Sequence, residues 1–304
     1  MRTLRTIAEL RTALRGPRAA GVRIGLVPTM GAFHDGHLSL MRRAREECGL
    51  VVVSLFVNPA QFNEGGDLES YPRDEQRDAS MAAEAGVDLL FAPDAEEVYP
   101  PGFATTVSVS GITEVLEGAH RGRAHFDGVA TVVTKLLNIA APEIAYFGQK
   151  DAQQALVIGR LVRDLNIDVE IEICPTVREH DGLAMSSRNV RLGAGERQQA
   201  LALTRSLQLA ARRAGAGATE TEQLITEALS ELEHAGVQTE YFQIVNSQTL
   251  EPITRLNGPA LAVVAARVGN TRLIDNQQLT THTDRLTTAS NAGASADVSA
   301  AGSQ

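Results

Sequence analysis

Two histidines three residues apart, His34 and His37, lie between a strand-like and a helix-like segment. Val22–Thr29 has the apolar pattern of a buried strand, and a helix is predicted over His37–Cys48. Ligands of open parallel sheets bind outside the carboxyl ends of the strands. Free N–H groups at a helix start suit phosphate oxygens, and imidazole donors stabilise charge developing on phosphorus. The turn Met30–His37 therefore predicts a phosphate site, although it contains neither GxGxxG nor GxxxxGK.

A second segment of this kind is Phe147–Asp151, again where the residue pattern changes from strand to helix. Lys150 supplies a point charge for a phosphate, and Gly148 leaves room for the ligand. Asp151 has an alternative structural role as the cap of the following helix. The repeated order of strand, glycine, charge and helix predicts that both segments serve one ligand.

A third segment, Met185–Asn189, follows the last strand predicted for the first half of the chain. Its Ser186 and Ser187 hydroxyls and its Arg188 guanidinium are good phosphate ligands. An ordinary polar loop between domains is the alternative interpretation.

Neutral amides form a fourth group. Asn58–Phe62 follows the second strand directly, and its amides could hold a hydroxyl or a carboxylate, although Asn-Pro is also common in turns. Gln153 and Gln154 begin the helix after Lys150, and only one of them should face the cleft because neighbouring helical positions point about 100° apart. His125 and Phe126 are interpreted as core or hinge residues.

The elements that position these segments alternate between strand and helix, which predicts an α/β fold with a Rossmann-like parallel sheet and helices on both faces. The predicted strands of this part are Val22–Thr29, Leu50–Val57, Asp88–Ala92, Ile144–Phe147 and Val169–Cys174. The predicted helices are His37–Cys48, Asp74–Ala85, Val129–Ala140 and Asp151–Leu165.

Later in the chain, helices precede strands, which predicts a smaller C-terminal α+β domain. Its predicted helices are Glu196–Ala214 and Thr221–Ala235, and its predicted strands are Glu240–Val245, Leu261–Ala266 and Arg272–Asp275. The domain boundaries that follow are 1–180, 181–280 and a small, polar tail at 281–304 that we expect to be disordered.

Composition is that of an ordinary globular protein, with 43% hydrophobic and 21% charged residues in 304 positions. A net charge of -9 favours neither nucleic acid nor an anionic membrane as a partner. The N-terminal segment has the pattern of an amphipathic helix rather than a signal peptide, and a cytoplasmic location is expected. Cys48 and Cys174 are predicted to be buried reduced thiols.

Taken together, the segments resemble the pantothenate synthetases, also called pantoate–β-alanine ligases, over roughly residues 22–276. The matching stretches are VPTMGAFHDGH, VVVSLFVNPAQF, YPR, HFDGV, FGQKDAQQ, PTVREHDGLAMSSRN and TRLIDN. The resemblance implies that His37 is catalytic, and the phosphate chemistry adds His34 and Lys150. It implies contacts to pantoate from Gln61 and Gln154, with Gln61 also beside the β-alanine site. The ATP-binding residues it implies are Met30, Gly31, Ala32, Phe33, His34, Asp35, Gly36, His37, Gly148, Gln149, Lys150, Asp151, Val177, Met185, Ser186, Ser187 and Arg188.

The family further implies a cytoplasmic homodimer that uses ATP with Mg²⁺, activates pantoate as an acyl-adenylate and closes its C-terminal domain as a lid. No side chain is assigned to the metal. This chain departs from the family pattern at Gln149, where Glu is common, and at Ala152, where an aromatic residue is common. It also has a longer stretch before His125, so the family's arginine contact is assigned to neither Arg121 nor Arg123.

Two alternative functions are kept. One is another HxGH nucleotidyltransferase acting on a phosphorylated acceptor, which would yield a stable nucleotide adduct. The other is a catalytically silent nucleotide-binding protein, which would have lost one of the reactive side chains.

Overall fold

The structure is a computed structural model that describes residues 1–62, 68 and 71–280. The tail predicted to be disordered, 281–304, lies outside the described residues. Among the described residues, no helix combines the length and the apolar character needed to cross a membrane.

Two compact units make up the described chain. The first contains Met1–Glu179 and Ala184–Ser187, and the second contains His180–Leu183 and the residues from Arg188 onward. The chain therefore leaves the first unit, returns to it for four residues, and leaves it again. The roles predicted for the two domains stay predictions.

A six-stranded parallel sheet organises the first unit. Its strands are β1 (Arg2–Leu4), β2 (Ile24–Thr29), β3 (Leu50–Leu55), β4 (Leu89–Phe91), β5 (Ile144–Gly148) and β6 (Glu170–Cys174). They lie in the order β1-β4-β3-β2-β5-β6. The chain winds one way from β2 to β3 and β4, and the other way from β5 to β6. The gap between the carboxyl ends of β2 and β5 is therefore the topological switch point, where such sheets bind ligands.

Helices cover both faces of this sheet, as predicted. They are α1 (Ile7–Ala19), α2 (Asp35–Glu47), α3 (Glu75–Glu84), α4 (Ala95–Val98), α5 (Glu117–Arg121), α6 (Arg123–Ala140) and α7 (Ala152–Asp164). One apolar core contains residues of α1, α6 and α7, and the other contains residues of α2 and α3. Neighbouring residues of β3 show the division, since Val52 belongs to the first core and Val51 and Val53 to the second. This alternation across the pleat explains why the central strands are apolar throughout.

The second unit packs α8 (Ala194–Gly215) and α9 (Thr221–His234) against a three-stranded antiparallel sheet. Its strands are β7 (Gln238–Asn246), β8 (Ala260–Val268) and β9 (Thr271–Leu279), with β8 in the centre. The prediction of an α+β arrangement is confirmed. Strand β9 is longer than the predicted Arg272–Asp275, because an edge strand continues through polar residues that carry no apolar alternation.

Other boundaries were wrong. The N-terminal segment was predicted to be entirely helical, but Arg2–Leu4 pairs with Leu89–Phe91 as a strand. The helix begins only after Thr6, whose side chain caps it together with Glu9. Helix α6 starts at Arg123 rather than Val129. Cys48 and Cys174 are both free and buried, as predicted.

Candidate active site

The switch point brings the two strongest sequence segments to the same edge of the sheet. Strand β2 ends at Thr29, directly before the histidine turn, and β5 ends at Gly148, directly before the turn that contains Lys150. The two strands are paired neighbours, with Gly25 opposite Ile144. Parallel pairing places their carboxyl ends side by side, so the predicted halves of the phosphate site adjoin each other.

The turn after β2 is held in an unusual backbone shape. Gly31 and Ala32 both have positive φ, at 84° and 53°, and this conformation costs a non-glycine residue about 1–2 kcal/mol. The carboxylate of Asp78 stabilises it by accepting hydrogen bonds from Ala32 N (2.7 Å) and Phe33 N (2.8 Å). Asp78 is only 1% exposed. It is therefore a buried carboxyl group whose position fixes the turn.

Asp78 was missed by the sequence interpretation, which predicted a helix over Asp74–Ala85 but assigned no role to its side chains. A pattern that could have revealed it is its spacing, since Asp78, Ala82 and Ala85 follow helical periodicity and are all buried. A carboxylate on the apolar stripe of a helix requires partners, because an unpaired buried charge is very costly.

Helix α2 begins at Asp35 and not at the predicted His37, so His34 occupies the N-cap and His37 lies in the first turn. The Nδ1 atom of His34 accepts from Gly36 N (3.2 Å), and the Nδ1 atom of His37 accepts from His34 N (3.4 Å). A neutral imidazole whose Nδ1 accepts a hydrogen bond carries its proton on Nε2. Both rings are therefore prepared to donate from Nε2.

The two imidazoles lie together, with ring centroids 4.1 Å apart. Burial, and secondarily the adjacent His34, lower the pKa of His37 to about 3. Burial and then the charge of Lys150 lower the pKa of His34. Since both shifts favour the uncharged ring, the pair acts as neutral hydrogen-bond donors at neutral pH rather than as cations.

This pKa shift predicts a specific pH dependence of stability. Between pH about 6.5 and about 3 the unfolded chain binds a proton at His37 that the folded chain does not, so the free energy of unfolding falls as pH is lowered through this window. The variant His37→Gln has no imidazole at this position to bind that proton in the unfolded chain. Its free energy of unfolding should therefore fall less between about pH 7 and about pH 5. Urea denaturation of both proteins measures the difference, and parallel stability–pH curves would contradict it.

Lys150 lies in a 3₁₀ turn, Gln149–Asp151, between β5 and α7. Its side chain is 17% exposed, and its Nζ lies 3.6 Å from Asp151 Oδ1. Asp151 occupies the N-cap position of α7, but its side chain makes no capping hydrogen bond. The capping role considered for Asp151 is therefore wrong. Its half-exposed carboxylate instead adjoins Lys150, and both groups interact electrostatically with His34 and His37.

The four residues that return to the first unit place Met185 on the histidine turn. Met185 N donates to Val177 O (3.0 Å), and Gly36 N lies 3.2 Å from the Met185 sulfur. Ser186 and Ser187 follow Met185 in the same unit. The structure thus joins Val177 and Met185 to the turn around His34 and His37, while Arg188 belongs to the second unit.

The amide of Gln61 has a defined orientation. Asn58 is 1% exposed, and its Nδ2 donates to Gln61 Oε1 (2.9 Å) and to Gly128 O (3.0 Å). The Oδ1 of Asn58 accepts from Tyr99 Oη (2.8 Å) and Ala60 N (3.3 Å). Because the carbonyl of Gln61 is engaged by Asn58, its NH₂ group is the part left to bind a substrate oxygen.

Helix α6 supports this amide at close range. His125, predicted to be a core or hinge residue, contacts Gln61 O through Nδ1 at 2.8 Å. Gly128 lies so close to the backbone of Ala60 that a Cβ atom added to it would be 2.2 Å from Ala60 O. Both residues lie in the part of α6 that precedes the predicted start at Val129.

Replacing Gly128 by alanine should therefore push α6 and the 59–61 turn apart. Overpacking of this kind costs about 1–3 kcal/mol of folding stability. Gly159→Ala is the matched control, because Gly159 lies in α7 and a methyl group added there would have no atom within 4 Å. That control should gain roughly 0.5–1 kcal/mol from helix propensity. Thermal and urea unfolding of both variants test this, and equal stabilities would contradict it.

Gln153 and Gln154 divide as predicted for neighbouring helical positions. Gln153 is buried. Its Nε2 donates hydrogen bonds to Ile112 O and Val115 O, and its Oε1 accepts one from Glu117 N. Gln154 is partly buried, and its side chain makes no hydrogen bond within the described part of the chain. Gln153 therefore anchors the 112–117 segment. The side chain of Gln154 is the one left to bind a ligand.

The stretch before His125 forms the short helix α5. Arg121 pairs with Glu117 at 3.2 Å, and Arg123 donates to Ser108 Oγ at 3.0 Å. Both arginines thus have structural contacts in the first unit. The family's arginine contact with a ligand stays unassigned.

Comparison with known proteins identifies relatives across nearly the full length. The profile of the family described as "Pantoate-beta-alanine ligase" matches residues 2–278. A pantothenate synthetase from Cereibacter sphaeroides is 54% identical over 90% of this chain and 98% of its own length. One from Pelotomaculum thermopropionicum is 51% identical over 89% of this chain and 96% of its own length.

Solved structures of the same family are also similar to this chain over nearly its full length. Pantothenate synthetase from Thermus thermophilus is 48% identical with a TM-score of 0.86, over 91% of this chain and 99% of that one. Pantoate-beta-alanine ligase from Francisella tularensis, complexed with beta-gamma ATP and beta-alanine, is 35% identical with a TM-score of 0.74, over 91% of this chain and 97% of that one.

Proposed function

The chain belongs to the pantoate–β-alanine ligase family, and from this membership we propose that it joins pantoate to β-alanine with the consumption of ATP. The product is pantothenate, and AMP and pyrophosphate are released. The observation that carries the proposal is the pair of neutral imidazoles at the start of α2, next to the Lys150 ammonium at the end of the adjoining strand.

In the first step, a carboxylate oxygen of pantoate attacks the α-phosphorus of ATP. The bond from that phosphorus to the bridging oxygen breaks, and pyrophosphate leaves. The Nε2–H groups of His34 and His37 donate to phosphate oxygens, and Lys150 offsets the negative charge as it develops. Neutral donors suit this task because their orientation is set beforehand by the backbone N–H groups on Nδ1.

Pantoate is a hydroxy acid, so it needs donors for its carboxylate and partners for its hydroxyls. Gln61 offers an NH₂ group that Asn58 orients, and Gln154 offers a second amide. Amides hold the acid without a fixed positive charge that would compete with the phosphorus for the attacking carboxylate. This supports their proposed roles in pantoate binding and, for Gln61, beside β-alanine.

In the second step, the amine of β-alanine attacks the adenylate carbonyl. The carbon–oxygen bond to AMP breaks, the amine loses a proton, and the amide of pantothenate remains. A carboxylate alone is a poor electrophile, which is why the AMP leaving group is needed.

Mg²⁺ is proposed to accompany ATP. It is commonly held by substrate phosphates, waters and one or two carboxylates, and the half-exposed carboxylate of Asp151 beside Lys150 fits that modest requirement. When bound, the metal supplies charge neutralisation for the triphosphate.

A complete assay tests the reaction. Purified protein is incubated with ATP, Mg²⁺, pantoate and β-alanine, and the products are identified by mass while each component is omitted in turn. Pantothenate with equimolar AMP is expected, and pantoyl-adenylate should accumulate when β-alanine is left out. A stable nucleotide adduct, or no turnover by folded protein, would overturn the proposal.

Residues 181–280 are proposed to act as a lid and Arg188 as a phosphate ligand, because an adenylate must be protected from water. ATP should then slow proteolysis within 185–189, and unchanged cleavage at saturating ATP would contradict this role.

A homodimer in the cytoplasm is proposed on family grounds, and light scattering of the purified protein tests the oligomeric state.

A further inference from the structure

A cluster of three arginines lines a cavity away from the site described above. The cavity has a volume of about 500 Å³ and is lined by Arg11, Arg15 and Arg18 of α1 together with Asn138 of α6. Its other lining residues are apolar, and no Asp or Glu of the described residues lines it. In a chain with a net charge of -9, this is a local reversal of sign.

The arginines are spaced four and three residues apart, so they project from the same face of α1. Like charges at such spacing repel and destabilise a helix by a few tenths of a kcal/mol per pair. Most arginines in the described residues have a carboxylate partner, as Arg5 has in Glu75 and Arg213 in Glu227. Within the described residues, the side chains of Arg11 and Arg15 have neither an ion pair nor a hydrogen bond.

Arg18, one of the lining residues, is fixed in place. Its Nη2 donates to Ala140 O (2.6 Å) and Ala141 O (3.1 Å) at the end of α6. Asn138 is likewise fixed, because its Nδ2 donates to Thr134 O (2.9 Å). The cavity thus combines two side chains held by backbone carbonyls with two guanidinium groups that no described side chain or carbonyl engages.

Topology separates this cavity from the active site. Helix α1 leads into the amino end of β2, and α6 leads into the amino end of β5. The histidine turn and Lys150 follow the carboxyl ends of the same two strands. Strands of five or six residues span roughly 15–20 Å, so the two sites lie on opposite edges of the sheet.

We propose that the arginine cavity formed by Arg11, Arg15 and Arg18 binds the phosphate group of a small phosphorylated molecule. Guanidinium groups bind phosphate in a bidentate manner and are weakly hydrated, so two unengaged arginines and a fixed third make a strong phosphate site. The volume lies in the range of small-molecule pockets, about 300–1,000 Å³. A space of this size favours a compact anion over the continuous backbone of a nucleic acid.

Inorganic pyrophosphate is the probe, titrated calorimetrically into protein whose active site is saturated with pantoate and a non-hydrolysable α,β-methylene analogue of ATP. One further binding event is expected. The double variant Arg11→Gln/Arg15→Gln should weaken it about tenfold or more, while its rate of pantothenate synthesis stays at the wild-type level and so reports an intact fold. The matched control is Arg42→Gln/Arg212→Gln, which removes two exposed arginines from α2 and α8 and should bind as the wild type does.

Three results would overturn the assignment. They are the absence of a further pyrophosphate site, equal weakening in the control variant, and equal binding of sulfate at the same ionic strength. A single-stranded oligonucleotide that binds through Arg11 and Arg15 while pyrophosphate does not would also overturn it, in favour of a nucleic-acid surface.

Discussion

Replacing His37 by alanine is expected to slow pantoate-dependent ATP–pyrophosphate exchange about 10²–10³-fold, and Lys150→Ala should have an effect of the same order. Each variant removes one preorganised donor from the charge that builds up at phosphorus. Neither residue is a member of the two apolar cores of the first unit, so both variants should remain folded, which thermal unfolding checks. The exchange assay isolates the first chemical step, because β-alanine is absent.

Matched controls are available in the same chain. The only other lysine is Lys135, which lies 4.6 Å over the ring of Phe103 and not at the histidine turn. Lys135→Ala and His234→Ala should each exchange at close to the wild-type rate. Exchange within a few fold of wild type in His37→Ala or Lys150→Ala would remove the catalytic role proposed for that residue.

The second large effect is expected from Asp78→Asn, although Asp78 need not touch a substrate. An amide has only one acceptor atom, so either Ala32 N or Phe33 N loses its partner, at a cost of about 1–3 kcal/mol. The positive-φ turn then relaxes, and the imidazoles that follow it move. A displacement of about 1 Å can reduce a rate about 10²-fold. We expect kcat for adenylation to fall by about 10- to 10²-fold.

Asp74→Asn is the control, because Asp74 caps the same helix by accepting from Arg77 N and Asn caps a helix equally well. It should leave both the rate and the stability unchanged. A purely structural role for Asp78 would lower the unfolding temperature and leave kcat of the folded fraction intact. That outcome would contradict the positioning role.

Much of the first unit was predictable because its strands are covered on both faces. Apolar runs such as Leu50–Leu55 identify central strands directly, and the alternation with helices then fixes the fold class. The histidine turn, Lys150 and the 185–187 segment could likewise be recognised as candidate phosphate-binding residues from their chemistry and from their positions after strands.

What could not be predicted depends on contacts between distant residues. Asp78 looks like a surface carboxylate until its partners, about 45 positions away, are known. The orientation of Gln61 depends on Asn58, and the closeness of α6 depends on the missing side chain of Gly128. A short edge strand such as Arg2–Leu4 has too few residues to show any period.

The pairing of β2 with β5 also has a consequence for synthesis of the protein on the ribosome. Gly25 meets Ile144 only after well over a hundred residues have been translated between them, and non-local strand pairs of this kind form late in folding. A nascent chain that ends before β5 carries the histidine turn without its lysine. The growing polypeptide therefore lacks a complete centre for cleaving ATP until most of its first unit has emerged.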